Sequence, residues 1–202
     1  RQRQMCIRDR IYVKQGTDDK NLVVRTYGCK EKYYKGDMNK DTLQIQYEIH
    51  KQFPDNYDAQ IVIEIPEKMT FDTMDFDIGA ADADFASGSV NCRTMELNVG
   101  AGELTGADFA VTGTLDIKLG AGDIDLEGGT YKDIKLDCGM GSFALDGIVA
   151  ENVKAHCGMG DGSITLRGRE EDYNYKMSCG MGDLTVNGES YSDLSGSYKV
   201  TN

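Results

Sequence analysis

The sequence predicts an all-β protein whose chain winds as a parallel β-solenoid, with coils of about 20 residues and Gly-x-Gly corners. Three observations support this fold class. A short glycine motif recurs at nearly fixed spacing, apolar and polar residues alternate on both sides of each motif, and 24 of the 202 residues are glycine. Recurrence at a fixed period is typical of repeat architectures, whose units are stable only when stacked on neighbours.

The recurring motif is a pair of glycines separated by one residue. Three copies read Cys-Gly-Met-Gly and begin at Cys138, Cys157 and Cys179, whereas the earlier copies have an aliphatic residue and alanine instead. After the fifth corner, the additional glycine Gly162 is predicted to delay the alternation to Ile164. We expect glycine at these corners because a tight turn needs positive φ. The predicted corner glycines are Gly79, Gly100, Gly102, Gly120, Gly122, Gly139, Gly141, Gly158, Gly160, Gly180 and Gly182.

Strict alternation flanks each corner. Leu115, Ile117 and Leu119 precede one corner, and Ile124 and Leu126 follow it, with polar residues between them. A period of two indicates a strand with one buried face, and stacking such strands about 4.8 Å apart would close a continuous core. An antiparallel β-sandwich also has short strands and glycine turns. It does not explain why the same residue class returns at the same offset in every unit.

Three segments are expected along the chain. Residues 1–10 carry no repeat and resemble translated adaptor sequence, so we expect them to be a non-native leader outside the fold. Residues 11–70 alternate less regularly and are predicted to form irregular N-terminal β coils that cap the solenoid, with turns at Lys35–Asp37 and Pro54–Asn56. The regular coils are predicted over residues 71–202.

The charge balance restricts the partners. The formal net charge is −12, which argues against nucleic acid or an anionic membrane surface as the binding partner. No apolar run is long enough to span a membrane. Membrane anchoring would therefore need a segment outside this sequence.

Cysteine occupies one position in three consecutive coils, at Cys138, Cys157 and Cys179, where earlier coils have aliphatic residues. We interpret it as a small buried residue. Three ligands in a straight column cannot surround a tetrahedral metal ion, and the sequence has no C-x-x-C pair. Disulfides between neighbouring coils would need distortion, because parallel side chains keep the Cβ atoms apart.

Methionine lies between the two glycines of the same three coils, at Met140, Met159 and Met181. Pointing inward, these side chains would fill space at a widening corner. Pointing outward, they would form an adaptable apolar stripe suited to a partner. We favour inward packing.

Acidic residues follow almost every corner. A column of carboxylates invites a cation, so a calcium-stabilised surface module is one alternative. The simpler interpretation is that each carboxylate caps its corner and keeps the surface soluble, and we expect no metal site. The calcium candidates are Asp82, Glu103, Asp123, Asp161 and Asp183, with Ser142 in the remaining coil.

A β-helix carbohydrate-active enzyme is the other alternative. The outward rows mix charges in a way typical of ordinary cross-strand pairing. The sequence has two histidines, and His156 is expected beside Lys154 without a fixed nucleophile. We therefore expect no catalytic residue, no cofactor and no enzyme activity. The two outward rows are Asp75, Glu96, Asp116, Lys135, Lys154, Lys176 and Asp77, Asn98, Lys118, Asp137, His156, Ser178.

The repeats resemble the adhesin-type domains of bacterial envelope proteins, a group with a toast-rack-like β-solenoid. The likeness covers roughly residues 40–195 and is carried by the apolar strand Ile61–Pro66 and by the corner motifs between Ile78 and Val186. The resemblance implies a non-enzymatic scaffold or interaction module of the cell envelope or surface. For such a module we expect a protein or a surface glycan as the partner.

The C-terminal end of the predicted solenoid lacks a further corner. Residues Tyr191–Asn202 contain no Gly-x-Gly motif, so the last coil is expected to be only partly covered. Unpaired strand edges recruit other strands. We therefore expect end-to-end self-association through the C-terminal coil.

Overall fold

The computed structural model describes residues 10–18, 20–28, 34–39, 42–47, 60–169, 173–190 and 198–199, of which 34–39, 42–47 and 198–199 are described by their backbone alone. Within these ranges the chain forms sixteen strands joined in one sheet that folds around a core. The strands are β1 Arg10–Gln15, β2 Val23–Tyr27, β3 Tyr34–Asn39, β4 Thr42–Tyr47, β5 Gln60–Ile65, β6 Phe71–Ala80, β7 Asp82–Phe85, β8 Asn91–Ala107, β9 Ala110–Glu127, β10 Thr130–Met140, β11 Phe143–Met159, β12 Gly162–Leu166, β13 Asn174–Met181, β14 Leu184–Val186, β15 Glu189–Ser190 and β16 Tyr198–Lys199.

Six consecutive coils turn at glycine corners, and we number them 1 to 6 by their first glycines. These are Gly79, Gly100, Gly120, Gly139, Gly158 and Gly180. The segments before the corners pair in parallel to form what we call the pre-corner sheet, and the segments after them form the post-corner sheet. The predicted parallel β-solenoid is confirmed.

One hydrophobic core lies between the two sheets. The alternation seen in the sequence becomes alternation of burial, so that Leu115, Ile117 and Leu119 are all at most 2% exposed. In the first coils, Phe76 and Phe85 pack edge to face across the core with ring centroids 5.4 Å apart. In the part of the chain that the structure describes, no helix is long and apolar enough to cross a membrane.

The N-terminal strands belong to the same sheet as the coils but follow a different order. Strand β1 lies between β5 and β7 and pairs in parallel with both, while β2 adds to β5 in the antiparallel sense. Strands β3 and β4 form an antiparallel pair, and β4 continues in parallel onto β6. The turn predicted at Lys35–Asp37 is wrong, because these residues lie within β3 and pair in the antiparallel ladder with Gln44–Gln46 of β4. The turn predicted at Pro54–Asn56 lies outside the described residues, as do residues 1–9.

The C-terminal end of the stack is partly covered. Strand β15 pairs antiparallel with β14, and β16 pairs antiparallel with β13. Each of these two covering strands is only two residues long. The self-association predicted for this end stays a prediction.

Gly162 was predicted to delay the alternation, and the register shows that it does not. It pairs with Phe143 on one side and Leu184 on the other, so it takes the inward position itself. A Cβ added there would lie 2.7 Å from Leu184 Cδ2 and closer still to the Phe143 ring. The large neighbouring side chains therefore fill the space that this glycine leaves in the core.

Candidate functional site

In coils 2 to 6 the first glycine of the corner is required by the closeness of the stacked coils, whereas an added Cβ on Gly79 of coil 1 would meet nothing within 4 Å. A Cβ built on Gly120, Gly139, Gly158 or Gly180 would lie 2.5 Å from the carbonyl oxygen of the first glycine in the preceding coil. These glycines do not have positive φ. The sequence predicted glycine at these positions because of a positive φ, and that reason does not apply to them. Glycine is needed here because the coils lie too close together for a side chain.

The second glycine of each corner needs both the space and the conformation. Gly160 has φ of +131°, and an added Cβ would lie 1.9 Å from the carbonyl oxygen of Gly141. Its backbone N–H donates a hydrogen bond of 2.8 Å to the carbonyl of Met181 in the next coil. In coils 2 to 6 the stacked corners thus leave no room for a side chain at either glycine position, whereas coil 1 has Ala81 at the second position.

The cysteine column lies inside this edge. Cys138 and Cys157 are fully buried, Cys179 is partly exposed, and all three are free thiols. The thiols of Cys157 and Cys179 donate to corner carbonyls of the preceding coil at 3.4 and 3.2 Å. Burial raises the pKa of Cys157 to about 12. This environment favours the neutral thiol and agrees with the interpretation of a small buried residue.

The methionine column, defined as Met140, Met159 and Met181, lies on the outside of the same edge. Met159 pairs in register with both others, and the three side chains are 51%, 43% and 65% exposed in chain order. Inward packing was wrong. The preceding cysteine already occupies the inward position. A period of two would place Met140 on the same side as Cys138, but the corner, whose second glycine has positive φ, breaks the alternation and leaves the methionine outside.

The acidic column caps the backbone between coils. Oδ1 atoms of Asp82, Asp123 and Asp161 accept hydrogen bonds of 3.0 to 3.1 Å from the backbone N–H of the corresponding residue in the next coil. These N–H groups belong to Glu103, Ser142 and Asp183. The described residues contain no group of three or more His, Cys, Asp or Glu side chains arranged to hold a metal ion. These hydrogen bonds give the carboxylates a structural role in joining neighbouring coils. Calcium binding by the acidic column stays a prediction.

A shallow pocket of about 200 Å³ opens on the outer face of the post-corner sheet beside this column. Strand β1 contributes Arg10 and Tyr12, and Arg10 donates to the Tyr12 hydroxyl at 3.2 Å. The acidic side of the pocket is lined by Asp82, Asp84 and Glu103. Sequence analysis missed this juxtaposition, because the placement of β1 beside β7 leaves no mark on the repeat pattern.

The outer face of the pre-corner sheet separates charge along the solenoid axis. One row carries carboxylates in coils 1 to 3 and lysines in coils 4 to 6, and each member pairs in register with the next. Like charges on adjacent strands repel each other. Among the described residues, none of the three lysines has an ion-pair partner. The carboxylates are Asp75, Glu96 and Asp116, and the lysines, which we call the lysine row, are Lys135, Lys154 and Lys176.

The adjacent row on this face contains a hydrogen bond that sequence analysis did not anticipate. His156 Nδ1 lies 2.8 Å from Ser178 Oγ on the next coil, so the expectation that no candidate nucleophile is held beside His156 was wrong, although the row order had placed Ser178 next to it. Asp137 is the register partner of His156 on the other side. Acyl-transfer chemistry also needs a substrate cleft and oxyanion donors. His156 is exposed on a flat sheet, and we interpret this contact as cross-strand pairing.

Comparisons with known proteins agree with the architecture. A family sequence model described as Toastrack DUF4097 matches residues 7–199. Among curated proteins, none matches the chain. The match supports the toast-rack-like β-solenoid of the resemblance, and it indicates no catalytic family. It does not extend to the adhesin part of that resemblance.

Proposed function

Because the chain belongs to the Toastrack DUF4097 family, we propose that it acts as a non-catalytic scaffold and interaction module of the bacterial cell envelope. In this proposal a protein partner, or a surface glycan, binds the outer face of the pre-corner sheet. The envelope location is supported by the resemblance of the coils to adhesin-type envelope domains. The observation that carries the binding surface is the lysine row.

The lysine row places three like charges side by side, which destabilises the isolated monomer. Lys135, Lys154 and Lys176 are exposed on three adjacent strands, about 4.8 Å apart, and their like charges repel across the strands. None of the three forms an ion pair with a carboxylate among the described residues, and only Lys135 has an acidic register neighbour, Asp116. A partner that brings carboxylates to this row would relieve the repulsion as it binds, which supports the row as a recognition surface.

The charges elsewhere restrict the partner. The chain as a whole carries a net charge of −12, so a long uniformly anionic polymer would be repelled by most of the surface. Asp75, Glu96 and Asp116 continue the same row toward the N terminus. The face therefore fits best a protein surface of the opposite polarity, with carboxylates opposite the lysines and basic groups opposite the three acids. A short acidic glycan spanning the lysine row alone is the second fit.

Site-specific photo-crosslinking in intact cells tests this proposal. A photoreactive amino acid replaces His156, which lies beside the lysine row, and a control probe replaces Asp125 on the post-corner sheet. We expect a discrete adduct at position 156 and none at position 125. Protease digestion of the adduct distinguishes a protein partner from a glycan. Equal labelling at both positions, or none at position 156, would contradict the proposal.

A further inference from the structure

The methionine column has no role in the core or in the proposed recognition face. Coils 4 to 6 place a thioether at one outward position, where coils 1 to 3 have Ala80, Ala101 and Ala121 in register. The change to methionine occurs in the same three coils that change to cysteine. Three sulfur atoms are thereby exposed at one edge of the molecule.

We propose that the methionine column binds a soft monovalent metal ion, Cu(I) or Ag(I), through two or three of its thioether sulfurs. Thioether and thiolate sulfurs select soft ions, whereas carboxylate and carbonyl oxygens suit calcium and magnesium. The site therefore differs in chemistry from the calcium site considered for the acidic column.

The spacing of the column fits such an ion. Neighbouring strands are separated by about 4.7–4.9 Å, and Met140, Met159 and Met181 are direct register partners. Zinc–sulfur bonds in proteins are about 2.3 Å long, and bonds of that order to a two-coordinate ion would place its two sulfurs roughly 4.6 Å apart. Adjacent methionines can hold an ion in this way with small changes of their flexible side-chain torsions.

The surroundings leave the sulfurs free to bind. Each methionine lies between two glycines, so no neighbouring side chain on its own corner covers it. Asp161 and Asp183 follow the corners of coils 5 and 6 and add negative charge at the same edge. A cation is attracted there, and the binding of a neutral thioether requires no proton release.

The cysteine thiols lie on the other side of the corner backbone. Cys138 and Cys157 are fully buried, and the thiols of Cys157 and Cys179 are hydrogen-bonded to carbonyl oxygens. Bringing them to the same ion as the methionines would require the corner to open. The proposed site consists of thioethers alone.

Silver(I) titration of the full chain, followed by NMR of methyl-¹³C-methionine, tests the site directly. Cys6 and Cys29 are replaced by serine, and the partly exposed Cys179 by valine, in all samples so that these thiols do not compete for silver. The chain has nine methionines, and we expect the methyl signals of Met140, Met159 and Met181 to shift together and saturate. The other methionine signals should stay unchanged.

Two variants assign the ligands. M140L/M159L/M181L keeps the apolar volume and removes sulfur, and it should weaken silver binding at least roughly ten-fold. C138V/C157V/C179V introduces the residue that coil 2 has at this position, Val99, and should retain the affinity. Unchanged affinity in the leucine variant, or no shift of the three methyl signals in the parent chain, would overturn the proposal. The methyl shifts decide the question even if the valine variant fails to fold.

Discussion

A single methyl group at the second corner glycine should destabilise the solenoid more than backbone strain alone can. Gly160→Ala places a Cβ 1.9 Å from the carbonyl oxygen of Gly141, whereas real Cβ contacts stay above 3.0 Å. Coils 4 and 5 must therefore separate locally by about 1.1 Å. Gly160 also has φ of +131°, so alanine is strained even before the clash.

The magnitude follows from the hydrogen bonds on either side of Gly160. The bonds from Gly141 N to Met159 O and from Phe143 N to Asp161 O measure 2.9 and 3.0 Å. An opening of about 1.1 Å lengthens both beyond hydrogen-bonding distance. Losing them removes about 1–3 kcal/mol, and the positive φ adds about 1–3 kcal/mol. We expect a total loss of about 2–6 kcal/mol in the free energy of unfolding.

Two matched variants separate the causes in urea unfolding experiments. Gly168 has φ of +107° with nothing within 4 Å of an added Cβ, so Gly168→Ala measures backbone strain alone. Gly158 lacks positive φ, and its added Cβ would lie 2.5 Å from Gly139 O, so Gly158→Ala measures the contact alone. Gly160→Ala should exceed both. A loss at Gly160 no larger than that at Gly168 would refute the close-stacking argument.

Three further predictions concern titration, calcium and association. Burial raises the pKa of the Cys92 thiol from its ordinary value of 9.0 to about 12. The stability that this buried neutral thiol contributes is therefore complete below pH 9 and is lost as the pH rises toward 12. Urea titrations should show a smaller loss of stability over that pH range in Cys92→Val, and equal losses would contradict the assignment. Asp123→Ala removes the hydrogen bond from Ser142 N and should lower the free energy of unfolding by about 0.5–1.5 kcal/mol relative to the control Asp125→Ala. We expect the same melting temperature in EDTA and in millimolar calcium. A difference between the two would instead support the calcium alternative. Sedimentation velocity should show reversible, concentration-dependent association through the C-terminal coil, and a clean monomer at high concentration would show that β15 and β16 cap the stack.

Most of the fold was predictable because the repeat is local in sequence. The corner period and the alternation around Leu115 to Leu119 determine which residues face the core and which coils pair. The position of β1 between β5 and β7 was not predictable, since it depends on a contact between strands about 50 residues apart along the chain. A repeat pattern contains no information about such an insertion.

The candidate sites were predictable only as rows. The sequence spacing placed Lys135, Lys154 and Lys176 in one outward row, and the register agrees. The direction of Met140 was predicted wrongly, because a residue between two glycines has no alternating neighbours from which its side can be inferred. The contact between His156 and Ser178 lay within a predicted row but depends on side-chain geometry that spacing does not specify.

The most direct test of the proposed function is charge reversal on the pre-corner sheet, with the photo-crosslinking probe kept at position 156. K135E/K154E/K176E reverses the charge of the lysine row, while D75N/E96Q/D116N neutralises the acidic half of the same row in coils 1 to 3. Circular dichroism confirms that both variants keep the fold. We expect the lysine variant to give no adduct and the acid variant to give a reduced yield of adduct. An adduct of undiminished yield in the lysine variant would contradict recognition through this row.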